Sequence, residues 1–154
     1  MSRPSHLSEQ DNTIYRFFRE LAAISQSLER LVDRALPHEL KQPHFNALDI
    51  LARSKGPVTL RTLARALNVT RGAVANTVGR LEERGYVSVA ADRNRLKRVG
   101  LTARGRAAHR TALDALMPQL LELAKTVSAP DMIEILPLLE RIRIYLDTDP
   151  GRPG

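Results

Sequence analysis

The stretch Leu60-Arg-Thr-Leu-Ala-Arg-Ala-Leu-Asn-Val-Thr-Arg-Gly-Ala-Val-Ala-Asn-Thr-Val-Gly-Arg-Leu-Glu-Glu-Arg-Gly85 decides the fold. Leu60, Leu63, Ala64 and Leu67 recur at helical spacing behind a capping Thr59, which gives a short amphipathic helix. Asn68-Val69 is a turn. Thr70 then caps a second helix that runs to about Arg84, with Val74, Val78 and Leu81 as its inner stripe and Gly85 at its C′ position. Beyond Gly85 the period drops from 3.6 to 2. Tyr86-Val87-Ser88-Val89 and Arg98-Val99-Gly100-Leu101 alternate as strands around the polar turn Asp92-Arg93-Asn94-Arg95. A helix, a tight turn, a second helix and a hairpin make a winged helix-turn-helix.

Working outward, the N-terminal side carries a long amphipathic helix over 12–36, with Ile14, Phe17, Phe18, Leu21, Ile24, Leu28 and Leu31 on its apolar face. Asp11 or Asn12 is its expected cap, and Pro37 ends it by forcing Leu36 out of helical geometry. Phe45, Leu48, Ile50 and Leu51 mark a helix that stops near Gly56-Pro57. On the C-terminal side Thr102 caps a helix through Ala107, Leu113, Leu116 and Leu120. A last helix starts near Ser128-Ala129-Pro130-Asp131 and runs through Ile133, Leu136, Leu139, Ile142 and Tyr145. Pro118 and Pro137 fall inside these patterns, where a kink is expected. Residues 149–154 read as a disordered tail. The fold class is mainly α with a small β-wing, in one domain over 1–154. Its DNA-binding lobe spans 45–102, between flanking helices at 12–36 and 107–147.

Charge is concentrated in the same region. From Arg53 to Arg110 there are fourteen Lys/Arg against Glu82, Glu83 and Asp92, or +11; the other ten basic and fourteen acidic residues leave −4. A basic centre between acidic ends indicates a polyanion partner for the centre alone. At 154 residues and 43% apolar content the chain can bury a globular core. No apolar run of membrane-spanning length occurs, and the N-terminal Met1–His6 lacks a secretion signal, so a cytoplasmic protein is expected, with no membrane partner. There is no cysteine, which removes disulfides and thiolate metal sites. No nucleophile–base pair, carboxylate pair or phosphate-cradling glycine loop is visible, and no enzyme or cofactor is expected.

In a winged helix-turn-helix the second helix enters the major groove with its N-terminal residues at the base edges. With Val74, Val78 and Leu81 inward, Gly72, Asn76, Gly79 and Arg80 turn outward, flanked by Ala73 and Ala75. These small residues let the backbone approach the groove. Asn76 is suited to bidentate reading of adenine, and Arg71 and Arg80 to guanine or phosphate. Thr70 offers a phosphate contact at the helix N-terminus. Arg71 has a rival role, pairing with Glu82 or Glu83. On the hairpin Arg93, Arg95 and Lys97 share a side, and a narrow minor groove attracts arginine.

The segment Leu60 to Val74, its continuation Val78-Gly-Arg-Leu-Glu-Glu-Arg-Gly-Tyr-Val87 and the closing Arg98-Val-Gly-Leu-Thr-Ala-Arg-Gly105 resemble the multiple-antibiotic-resistance regulator (MarR) family, over roughly Asn12 to Leu146. The resemblance implies a homodimer held by the first and last helices, reading a pseudo-palindromic operator in double-stranded DNA. It also implies a repressor that releases DNA when a small aromatic or acidic ligand binds. The implied cleft involves Phe17, Leu21, Phe45, Leu48 and His109. By position before Leu101-Thr102, Arg95 takes the family's wing-arginine role. Asp92 stands three residues before it rather than two, in a turn about two residues shorter, which leaves the family's supporting aspartate unassigned. Without cysteine or tryptophan the chain lacks the peroxide-sensing and urate-responsive chemistries of some branches. His38, Glu39, His44 and His109 suit zinc, but no i, i+4 pair exists; surface histidines and no metal are expected. The alternative to a ligand-responsive repressor is an architectural DNA binder without effector, whose binding would depend on salt and not on sequence.

Overall fold

The computed structural model describes residues 8–148; the expected tail at 149–154 and the N-terminal stretch Met1–His6 lie outside them. Six helices and three strands follow in the order α1 (Glu9–Ala35), α2 (Gln42–Arg53), β1 (Val58–Thr59), α3 (Leu60–Leu67), α4 (Arg71–Glu83), β2 (Val87–Ala91), β3 (Lys97–Leu101), α5 (Ala103–Ala124) and α6 (Ala129–Thr148). The expected class, mainly α with a β-wing, is the observed one.

Most boundaries follow from local chemistry. Thr59, Thr70 and Thr102 each accept a backbone N–H three residues on, from Thr62, Ala73 and Gly105. Asn68 ends α3 in the left-handed region (φ 57°), a conformation its short polar side chain tolerates, and Gly85 turns the chain after α4 at φ 72°. Leu36 is extended ahead of Pro37, as a residue before proline must be. The start of α1 is a correction. Its cap is Ser8, not Asp11 or Asn12; Ser8 and Asp11 form a reciprocal capping box, so the helix begins one turn earlier. Pro118 and Pro137 lie within continuous helices, both on exposed positions where water can serve the carbonyl each ring leaves unpaired.

The sheet has the order β1-β3-β2 and is antiparallel throughout. Val89 opposes Val99 and Val87 opposes Leu101, while Val58 reaches Val99 from the other side. The two-residue β1 was not anticipated, because Val58-Thr59 is too short to show alternation. Leu48, Leu63, Val74, Leu81 and Val99 are fully buried, drawn from α2, α3, α4 and β3. This core fixes the angle between the two helices of the helix-turn-helix. Ala112 and Leu116 extend it into α5. By contrast, α1 and α6 contain no buried residue. The lower end of α1 (Leu31, Val32, Ala35) leans on the core, but among the described residues no other element packs extensively on α6.

Candidate nucleic-acid interface

Helix α4 shows two distinct faces. Val74, Val78 and Leu81 are buried, and Arg71, Gly72, Ala73, Ala75, Asn76 and Arg80 are exposed. Thr70 Oγ1 accepts the Ala73 N–H at 3.2 Å, and its carbonyl accepts that of Val74. The amides of Arg71 and Gly72, with no intrahelical acceptor, are left open at the positive end of the helix dipole. Gly72 and Gly79 face empty space, for a Cβ on either would meet nothing within 4 Å. Close packing on the preceding helix therefore does not account for Gly79.

The wing is more ordered than its sequence suggested. Asp92 is its organiser: Oδ1 accepts the backbone N–H groups of Asn94 (2.8 Å) and Leu96 (3.0 Å), and Oδ2 pairs with Arg98 Nε at 2.8 Å. The Asp92 N–H donates to the Leu96 carbonyl and the Arg95 N–H to the Asp92 carbonyl, closing the loop. The Arg98 guanidinium and these amides hold the Asp92 carboxyl below the usual carboxylate range. Arg95 sits at φ 59°, a left-handed conformation held by this web. The supporting aspartate left unassigned by spacing is thus Asp92, acting on its own turn and on Arg98. An Asp two residues ahead of an amide it can bond is an Asx turn, and that was the available signal.

Arg98 is engaged within the protein by its ion pair with Asp92. The others are not: among the described residues Arg71, Arg80, Arg93, Arg95 and Lys97 enter no ion pair. The rival pairing of Arg71 with Glu82 or Glu83 does not form. Two exposed cationic groups, one on α4 and one on the hairpin, are left without ion-pair partners among the described residues.

Both contact elements are tied to the same turn. Thr102 Oγ1 donates to the Gly85 carbonyl at 2.6 Å, and the Thr102 N–H donates to that of Tyr86. Gly105 then passes so close to the Tyr86 carbonyl that any Cβ would collide with it. The Leu-Thr-x-x-Gly sequence is therefore a steric clasp between α5 and the end of α4. On the other side Arg84 donates to the Glu39 carbonyl, and Tyr86 Oη lies 3.5 Å from Glu39 Oε2. Arg104 stands 5.7 Å over the Tyr86 ring.

Of the residues expected at a ligand cleft, Phe45, Leu48 and His109 lie in or against the core, and Phe17 and Leu21 do not. Leu48 is sealed in the core, and Phe45 and His109, both buried, stack with ring centroids 5.8 Å apart. Phe17 and Leu21 lie outside that cluster, on the free length of α1. A shallow cleft lies instead at the α1–α2 turn, lined by Asp33, Leu36, Pro37, His38, Leu40 and Lys41. The expectation of surface histidines fails for two of them. His44 Nδ1 accepts the Lys41 N–H at 3.2 Å, and burial with Arg84, Arg80 and Lys41 nearby lowers its pKa. His109 Nε2 meets Asp49 Oδ1 at 3.1 Å, while Arg53 holds the other carboxylate oxygen. Each ring is engaged separately, and no cluster of three metal-ligating side chains occurs among the described residues.

Comparison with known proteins follows the same segment. The family model described as "MarR family" matches residues 38–97, from the α1–α2 turn to the wing. The chain is thus similar to MarR-family transcription regulators over this segment. Among solved structures, apo MarR from E. coli is 26% identical, with a TM-score of 0.69 over 80% of this chain and 94% of that one. A Mycobacterium tuberculosis MarR family protein in complex with p-aminosalicylic acid is 29% identical, with a TM-score of 0.66 over 80% and 95%. The regulator BldR from Sulfolobus solfataricus shares the fold at 22% identity and a TM-score of 0.78, over 90% and 99%. No curated protein matches the chain. No helix among the described residues is long and apolar enough to cross a membrane.

Proposed function

We propose that this chain is a homodimeric, sequence-specific DNA-binding repressor of the MarR family that responds to a small aromatic or acidic ligand. The observation that carries the reading is the pair of unneutralised cationic groups, Arg71 and Arg80 on α4 and Arg93, Arg95 and Lys97 on the Asp92-braced wing. Asn76 reads a base edge from the exposed face of α4, Gly72 and Ala75 admit the groove wall, and Thr70 with the open amides of α4 meets phosphate. Arg95 lies in the minor groove, where charge complementarity is greatest. The partner is a second copy of the chain, because α1 and α6 expose apolar faces that one protomer leaves uncovered. The ligand cleft forms where Phe17 and Leu21 of the dimer frame approach the Phe45–His109 stack. The mycobacterial relative seen with an aromatic acid supports that ligand class.

The test is an electrophoretic shift with the promoter of the chain's own gene, with and without added aromatic carboxylates. Arg95→Ala should weaken binding across sequences, while Asn76→Ala should relax one base preference. Unchanged binding by both variants would remove the contact assignment. Binding that follows salt alone and ignores sequence would favour an architectural role.

A further inference from the structure

Leu96 is an apolar residue on an otherwise polar and basic turn. It sits at the tip of the wing between Arg95 and Lys97, a turn position where small polar residues are the rule. Its side chain is 51% exposed. Its backbone is among the most firmly held in the wing, since its N–H donates to Asp92 Oδ1 at 3.0 Å and its carbonyl accepts the Asp92 N–H at 2.9 Å. The protein thus fixes the direction of an apolar side chain that packs on none of its own core. A single exposed leucine on a mobile loop would need no explanation. One immobilised at the end of a basic hairpin, with a free cation on either side, is placed for a surface both anionic and apolar. A minor groove is such a surface: phosphates line its rims, and its walls are deoxyribose.

We propose that Leu96 is a DNA-contact residue, packing on deoxyribose in the minor groove while Arg95 and Lys97 engage the charge around it. The inference rests on the DNA-binding reading above. Apolar side chains enter minor grooves in many architectural proteins, and the rigid backbone here removes the ordering cost of presenting one. Leu96 supplies contact that salt does not screen, and it limits how far along the groove the wing can slide. It is therefore a positional determinant of specificity that makes no hydrogen bond to a base.

The experiment uses the full chain, its promoter fragment and a salt series. Leu96→Ala and Leu96→Gln should weaken operator binding roughly tenfold at every salt concentration, with the slope of log affinity against log salt unchanged. Leu96→Met should restore most of the loss. Arg95→Ala in the same series should instead reduce the slope by about one. Hydroxyl-radical footprinting supplies the direct readout: wild type should protect minor-groove sugars opposite each wing, and Leu96→Ala should lose that protection selectively. Thermal melting of the Leu96 variants should match wild type, because the side chain holds no core contact. Operator affinity within twofold of wild type for Leu96→Ala, or a loss that changes the salt slope, would overturn the inference while leaving the DNA-binding reading intact. A wild-type chain that shifts no promoter fragment would overturn both.

Discussion

Leu63 in α3 and Leu136 in α6 are the same side chain in the same kind of element, yet the first is fully buried and the second is 53% exposed. The contrast extends to the regions that contain them. Between α2 and the wing, three helices and two strands contribute to a core that one chain completes. Along α1 and α6, Phe18, Ile24, Ile133 and Tyr145 stand largely in solvent. Burying such side chains yields about 1.5–3 kcal/mol each, a gain that these helices forgo in the single chain. The lobe is a finished part, whereas the outer helices leave apolar faces that the proposed second copy would cover.

Substitutions in the two regions should differ in kind and in size. The largest effect is expected from the outer helices: the double substitution Leu136→Asp with Leu139→Asp should turn a dimer into a monomer in sedimentation velocity. Operator affinity should fall on the order of a hundredfold, because two tethered lobes bind as one and separate lobes do not. Circular dichroism should still report a folded lobe. Loss of all helical signal would show that the lobe is not finished after all.

Inside the lobe, two glycines make opposite predictions. Gly105→Ala should destabilise by about 3 kcal/mol, since its Cβ would strike the Tyr86 carbonyl in a clasp that cannot relax. Gly79→Ala should stabilise by about 1 kcal/mol, because helix propensity improves and nothing lies within 4 Å. Urea denaturation measures both. If Gly79→Ala also weakens operator binding, the missing Cβ is explained by DNA approach; if binding is unchanged, α4 stands farther from the groove wall.

A smaller effect is expected at the wing. Asp92→Ala should weaken operator binding roughly tenfold, the order of one lost charged hydrogen-bond set, without moving the denaturation midpoint of the lobe. Because its folded pKa is lowered, the Asp92 carboxylate stays ionised below the ordinary carboxylate range, and the brace is lost only as pH falls through that depressed value. Affinity measured from pH 7 down to pH 5 should therefore show no step from this group.

The smallest effect concerns His44. Its neutral ring accepts the Lys41 N–H, and protonation would oppose Arg80, Arg84 and Lys41. The folded pKa lies below the unfolded value of 6.5, so the unfolded chain binds more protons in between. Stability from this group is complete above 6.5 and declines as pH falls below it. Denaturation midpoints at pH 7 and pH 5 should differ in that direction, and His44→Gln, which keeps an acceptor without titrating, should reduce the difference.

Much of this organisation was legible along the chain because it is local. Thr59, Thr70 and Thr102 announce their helices through side chains that reach three residues ahead. Val74, Val78 and Leu81 reveal the inner face of α4 because helical period and burial coincide there. The same period turned Arg71, Asn76 and Arg80 outward, and all three are exposed. Reading failed where partners are distant or patterns are too short. Val58-Thr59 became a strand only because β3 offers an edge. Phe17 and Leu21 fall outside the core that holds Phe45 and Leu48, because helical periodicity says which face is apolar, not which neighbour covers it. The buried roles of His44 and His109 depend on Lys41 and Asp49, and only the meeting of α2 and α5 sets the latter.

The sequence by itself determined the helix-turn-helix, the wing and the charge division between centre and ends, since caps, turns and short-period patterns act over a few residues. The tertiary structure alone decided that Asp92 braces the wing, that Arg98 pairs with it while Arg93, Arg95 and Lys97 enter no ion pair, and that Gly105 clasps the Tyr86 turn. Those outcomes depend on which groups come within hydrogen-bonding or van der Waals reach after folding. A linear pattern states what each residue offers, and only the closed chain determines which offer is taken.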